Sequence, residues 1–206
     1  IQGIIKARVL HTAGAGESQI DALVGDLEEL GKPTVGLAAH SGQVDVRITV
    51  KADSPEAADE LIKPVEKTIR DRLGNWVYGA DQETLEGIAL KALERNGWSL
   101  TVIELGLGGE LIRRLAAVPG PFLGGQVLTT LPTPSELLSL TEDYRMTHNA
   151  DVGLGVAIHP AGEKQDVYFA LISPDSTQQF MRPYGGPPEY APTWALNHGL
   201  DVIRKL

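Results

Sequence analysis

The stretch Ile103-Glu104-Leu105-Gly106-Leu107-Gly108-Gly109 holds the residue types best suited to chemistry in this chain. A glycine turn between a strand and a helix frees backbone N–H groups that can hold a phosphate or an oxyanion. Glycine also lets a ligand approach the backbone closely. The same glycines equally suit a tight turn that needs positive φ angles. Glu104 has the chemistry of a general base, or of a carboxylate bonded to neighbouring backbone. Glu110, in the first turn of the following helix, already complements the helix dipole and would repel an incoming anion. No Gly-Lys-Ser/Thr follows the glycines, so a P-loop is excluded. His11, His40, His148, His159 and His198 are scattered without metal-ligand spacing. His159, beside Pro160, reads as a surface loop residue, and Asp151 as a turn residue before a strand. The Glu28-Glu29 pair reads as an exposed helix face. No Ser/His/Asp grouping emerges, and neither a metal nor a cofactor is expected.

Composition narrows the function classes further. The 206 residues include no cysteine and carry a formal charge of −9. That excludes thiol catalysis, disulfides and cysteine-ligated zinc, and it fits a cytoplasmic protein. A chain this long buries roughly 70% of its unfolded surface and needs no disulfide or metal staple. No apolar run approaches the roughly 20 residues that cross a bilayer. No signal peptide is visible, and the opening at Ile1 is compatible with removal of an upstream segment. The acidic balance argues against nucleic acid as the main partner, because phosphate contacts need clustered Lys and Arg. The densest basic stretch, Lys63, Lys67, Arg70 and Arg72, is interleaved with acids and reads as a solvated helix face.

The elements that must position these residues follow from periodicity. Residues 3–12 read as a strand. Ser18 reads as the N-cap of a helix reaching Gly31, and Thr34–Ala39 and Val44–Val50 as two strands around Ser41-Gly42. Ser54-Pro55 opens a helix ended by Gly74, in which Pro64 should produce a kink or a split. Trp76–Tyr78 reads as a short strand. The order β-α-β-β-α-β is the split β-α-β arrangement of a small α/β sandwich closing near residue 79. A second unit follows. It holds an amphipathic helix from Leu85 to Asn96-Gly97, a strand at Leu100–Leu105, the glycine turn, a short helix before Pro119, and a strand within Phe122–Leu131. The capping box Thr133-Pro134-Ser135-Glu136 then opens a helix to about His148. Val152–Ile158 alternates as a strand, Asp166–Ile172 reads as a central strand, Thr177–Arg182 as an edge, and Pro192–Leu206 as a closing helix. The mixture implies a three-layer α/β/α unit with a mixed sheet.

These elements and motifs resemble the competence/damage-inducible protein CinA family. In the first module the resemblance rests on Gly3-Ile4-Ile5, Gly16-Glu17-Ser18, Pro33-Thr34-Val35-Gly36-Leu37, Val46-Arg47-Ile48-Thr49-Val50-Lys51, Arg70-Asp71-Arg72-Leu73-Gly74 and Val77-Tyr78-Gly79. In the second it rests on Thr84-Leu85-Glu86, Leu100-Thr101-Val102, Glu104, Gly108-Gly109, Leu115, Val118-Pro119-Gly120 and Phe122-Leu123-Gly124-Gly125. The resemblance implies an α/β (α+β) chain. A KH-like module at 1–79 would be followed by a CinA C-terminal-like domain at 80–206. Active members of that domain family hydrolyse the amide of nicotinamide mononucleotide, and many carry an upstream molybdopterin-binding-like domain.

The departures from the family pattern carry the functional expectation. The family's turn reads Ala-Glu-Ser-Cys-Thr-Gly-Gly, with the serine as nucleophile. Leu105 stands in the serine's place and Leu107 in the threonine's. Thr129-Thr130 occupy a Tyr-Ser pair, and Pro134 falls near a lysine position. Ala157-Ile158-His159-Pro160 replaces a Thr-Gly-Ile-Ala-Gly-Pro loop. The expected pocket is therefore degenerate: Glu104, Leu105, Gly106, Leu107, Gly108, Gly109, Thr129, Thr130 and Pro134, with the two leucines as an apolar floor and no assigned catalytic residue. The resemblance leads to the expectation of a non-catalytic homologue that forms a homo-oligomer, a dimer or higher, or binds a nucleotide-like small molecule. Two alternatives stand beside it. One is an amidase with a rebuilt site. The other is nucleic-acid binding by the KH-like module, although that module lacks a GxxG loop joining two helices.

Overall fold

In the computed structural model, which describes residues 3–206, strict alternation of valine and isoleucine decides the first sheet. On β3 (Gln43–Ala52) the side chains of Val44, Val46, Ile48 and Val50 are all buried. β3 pairs antiparallel with β1 (Ile4–Ala13) and with β2 (Thr34–His40), and β4 (Val77–Ala80) pairs with the far side of β1. The sheet order β2-β3-β1-β4 is the split β-α-β topology expected from the element order. Helices α1 (Glu17–Val24) and α2 (Pro55–Leu73) close one face. Their Ile20, Val24, Ile62 and Ile69 complete a core with Leu10, Val46 and Ile48.

Four local expectations are corrected. The α1 N-cap is Gly16 rather than Ser18, because the Gln19 side chain reaches back to accept the Gly16 N–H at 2.9 Å. The helix stops at Val24 and tightens into a 3-10 turn, Gly25–Glu29. There Arg72 donates to the Leu23 carbonyl at 2.9 Å and to Asp26 at 2.5 Å, satisfying the helix end from outside. Pro64 does not split α2, which runs unbroken from Pro55 to Leu73: it lies on the exposed face, where the carbonyl it frees can face water, opposite the buried Ile62 and Ile69. Trp76 belongs to a 3-10 turn, Gly74–Trp76, rather than to β4.

The chain divides into two compact units, the first ending at Thr84 and the second running from Leu85 to Leu206. Beyond β4, the Glu83 carboxylate folds back to accept the Ala80 N–H at 2.9 Å.

In the second unit, β5 (Leu100–Leu105), β6 (Phe122–Val127) and β7 (Val152–Ala161) run parallel, and β8 (Lys164–Ile172) and β9 (Thr177–Tyr184) are antiparallel additions, in the order β6-β5-β7-β8-β9. Helix α5 (Pro134–Thr147) packs on one face, and α3 (Leu85–Asn96), α4 (Glu110–Ala116) and α6 (Ala191–Ile203) cover the other. This is the expected three-layer mixed-sheet unit. The α5 layer sits so close that a Cβ on Gly155 would lie 2.2 Å from the Thr141 hydroxyl. Asp166–Ile172 is interior, but the middle strand is β7. β7 also runs past Ile158 through His159 and Pro160, which were expected in a loop. Beyond Ala157 it has lost β5 as a neighbour and pairs only with β8, leaving an open side on which proline's missing N–H is tolerated.

Candidate functional site

The glycine turn emerges at the carboxyl ends of the parallel strands, where open α/β sheets place their ligands. Gly106, Gly108 and Gly109 have φ of 83°, 67° and 84°, values that L side chains rarely adopt. Gly106 has a second constraint, since a Cβ there would stand 3.0 Å from the Ile158 Cβ on β7.

Glu104 ends β5 with a side chain that is 0% exposed. One carboxylate oxygen accepts the Gly109 N–H, and the other accepts the Ile112 N–H at 3.3 Å. Two of the donors that could hold an oxyanion or a phosphate at the start of α4, the Gly109 and Ile112 N–H groups, are thus engaged by the protein's own carboxylate. Burial pushes the Glu104 carboxyl up, against the opposing pull of the backbone N–H groups of Ile112, Gly109 and Leu111. Of the two sequence readings of Glu104, the geometry is that of the backbone-bonded carboxylate.

The remaining candidate residues diverge. Leu105 pairs in register with Ala157 and packs, half-buried, against Ile103, Leu137, Ala157 and Ala170. Leu107 is buried, 3% exposed. Thr129 and Thr130 are exposed beyond β6. Thr130 lines a cleft of about 300 Å³ with Leu131, Pro132, Glu136, Ser139 and Leu140, and none of residues 104–109 lines that cleft. Pro134 is the first residue of α5. It sits inside a capping box in which Glu136 accepts the Thr133 N–H at 2.7 Å and Thr133 Oγ1 accepts the Glu136 N–H at 3.3 Å.

Other polar side chains of this unit have partners that the sequence reading did not give them. The His159 ring packs 4.6 Å from that of Tyr168, its register partner is Asp166, and its Nε2 is buried without a hydrogen-bond partner. Burial pulls its pKa down, opposed by the Asp166 charge. Alternation along β7 and β8 could have paired them. On the opposite face Arg114 of α4 donates to Glu86 at 2.5 Å and to Asn197 at 3.2 Å, linking three helices. Separations of 28 and 83 residues leave no local signal for that link. Asp151 accepts both the N–H and the hydroxyl of Ser99 at 2.8 Å, tying the starts of β5 and β7. Among the described residues no group of three or more His, Asp or Glu is placed to hold a metal ion. No helix is long and apolar enough to cross a membrane.

Residues 7–79 match the family model described as the damage-inducible protein CinA KH domain. A CinA-like protein of Deinococcus deserti is 43% identical over 192 residues, covering 84% of this chain and 47% of that protein. The chain belongs to the CinA family. A putative competence-damage inducible protein of Caldanaerobacter subterraneus is 30% identical over 230 residues, covering 98% of this chain and 56% of its own length. The chain thus spans about half the length of these CinA-family relatives. A solved CinA superfamily structure from Klebsiella pneumoniae superposes with a TM-score of 0.51 at 18% identity, over 59% of this chain and 94% of that one. That identity supports a shared fold alone.

Proposed function

We propose that this CinA-family chain is a non-catalytic homologue of the nicotinamide mononucleotide amidohydrolase that the sequence resemblance implies, keeping the fold for assembly or ligand binding. The carrying observation is Leu105. It stands where the family motif has its serine, and its side chain packs against Ile103, Leu137, Ala157 and Ala170. Amide hydrolysis through an acyl-enzyme needs a nucleophile, a base that takes its proton and donors for the oxyanion. Leucine has no atom for the first role. Loss of the nucleophile alone costs a serine hydrolase on the order of 10⁶ in kcat. The auxiliary positions compound the loss, with Thr129-Thr130 exposed on a loop and Pro134 built into a helix cap. Glu104 takes up the Gly109 and Ile112 N–H groups, two of the donors an oxyanion would otherwise use.

The reading is tested by ammonia release from nicotinamide mononucleotide with the purified chain. No turnover above the buffer rate is expected. Saturable turnover that is lost on Glu104→Gln or on Thr130→Ala would overturn it and favour a rebuilt amidase. Equilibrium dialysis with the same nucleotide separates binding from assembly as the retained role.

A further inference from the structure

From Leu115 to Ser135 the chain has no Asp, Glu, Lys, Arg or His, although its net charge is −9. This neutral stretch covers β6, which is an edge of its sheet. Native sheets protect such edges with charge or with bulges. Here charge is absent, and the pairing of β6 with β5 shifts register between Leu100 and Thr101, leaving Leu123 as the extra residue. Leu123 protrudes, half exposed, with Val127 exposed farther along the strand. Past the strand, Leu131 and Leu140 are also exposed and line the cleft of about 300 Å³ beside the start of α5. The one carboxylate in its wall, Glu136, is held by the Thr133 N–H.

We infer that this neutral edge is a self-association surface. In a two-fold dimer, Leu123 of each copy would enter the Leu131–Leu140 cleft of the other. A protruding leucine and an apolar recess on the same neutral stretch are what an isologous contact requires, residue i meeting j while j meets i. Charge selects the occupant. Two copies at −9 repel through most of their surfaces and can approach closely only through a neutral face. Nucleic acid and anionic lipid would both call for basic residues, and this stretch has none. The inference rests on the assembly part of the proposed function and not on the catalytic silence of the turn.

Sedimentation velocity of the 206-residue chain at micromolar concentration tests it. The parent should sediment as a dimer. Leu123→Lys and Leu131→Lys should each give monomers with unchanged circular dichroism and a melting temperature that no longer rises with protein concentration. Leu123→Ser, a milder change, should weaken the dimer without adding charge. Leu123→Lys combined with Leu131→Glu should restore the dimer, because the two positions meet across the two-fold. Met181→Lys, at an exposed site on the opposite edge strand, should leave it intact. A monomeric parent, a dimer indifferent to both single lysines, dissociation by Met181→Lys or failure of the paired charges to restore the dimer would overturn the inference. Ammonia release reports separately on the turn, so a silent monomer sinks only the interface and an active dimer only the silence.

Discussion

His11 Nδ1 lies 2.7 Å from Asp45 Oδ1, joining the end of β1 to the start of β3. The other ring nitrogen lies 2.9 Å from the Asp81 carbonyl oxygen, the ring stacks on Tyr78 at 5.7 Å, and His40 approaches the second Asp45 oxygen at 3.3 Å. Burial alone pulls the His11 imidazole down. The Asp45 hydrogen bond, the Asp81 carbonyl and the two carboxylate charges outweigh it and raise the pKa above 6.5. A raised histidine contributes stability fully below its unfolded value, and loses it as pH rises through the folded value. The urea midpoint of the first unit's unfolding should therefore fall as pH climbs from about 6 to 8, the range in which histidine titrates. Asp45→Asn should flatten that slope. Parallel slopes in parent and variant would contradict the assignment.

Glu104 holds two N–H groups at the start of α4, so its removal leaves buried donors without partners. Glu104→Ala should cost roughly 2–4 kcal/mol in denaturant unfolding, from two unsatisfied donors and the space left behind. Glu104→Gln should cost less, because the amide oxygen keeps one bond. An acid whose folded pKa is raised stabilises most at low pH and loses that contribution as pH rises through the folded value. The penalty of Glu104→Gln relative to the parent should shrink from acid toward neutral pH. A penalty independent of pH would argue against the buried carboxylate.

Gly106 and Gly108 share positive φ but not surroundings. A Cβ at Gly106 meets Ile158 at 3.0 Å, whereas one at Gly108 meets nothing within 4 Å. Gly108→Ala should cost about 1 kcal/mol of backbone strain. Gly106→Ala should cost about 2–4 kcal/mol, strain plus overpacking. Equal melting temperatures for the two variants would show that Ile158 yields freely.

Leu105→Ser puts back the hydroxyl of the family motif. It should not produce amidase turnover, because the Tyr-Ser and lysine positions remain Thr129-Thr130 and Pro134. It should lower stability by about 1–2 kcal/mol as packing against Leu137 and Ala157 is lost. Ammonia release restored by this single change would show that the rest of the machinery survives in another form.

Much of this architecture was legible in the chain because its determinants are local. The alternation of Val44, Val46, Ile48 and Val50 gives a strand with one buried face, and Thr133 with Glu136 marks a helix start to the residue. What was missed depends on partners distant in sequence. Arg72 ends α1 from another helix, and the exposed setting of Pro64 depends on where the sheet lies. His159 joins a strand because β8 folds back beside it. At the site, the sequence located the glycine turn between β5 and α4. It could not show that Leu107 is buried while Thr130 faces a separate cleft, since both depend on how loops from different strands settle.

The turn at Gly106 is held by main-chain geometry and by a carboxylate one residue upstream of Leu105. Nothing that fixes its shape depends on a functional group at position 105. The turn's shape and the side chain at position 105 are thus separable. A descendant sequence, or a protein engineer, could exchange that side chain at modest energetic cost and inherit a rigid, pre-shaped mount for a different reactive group.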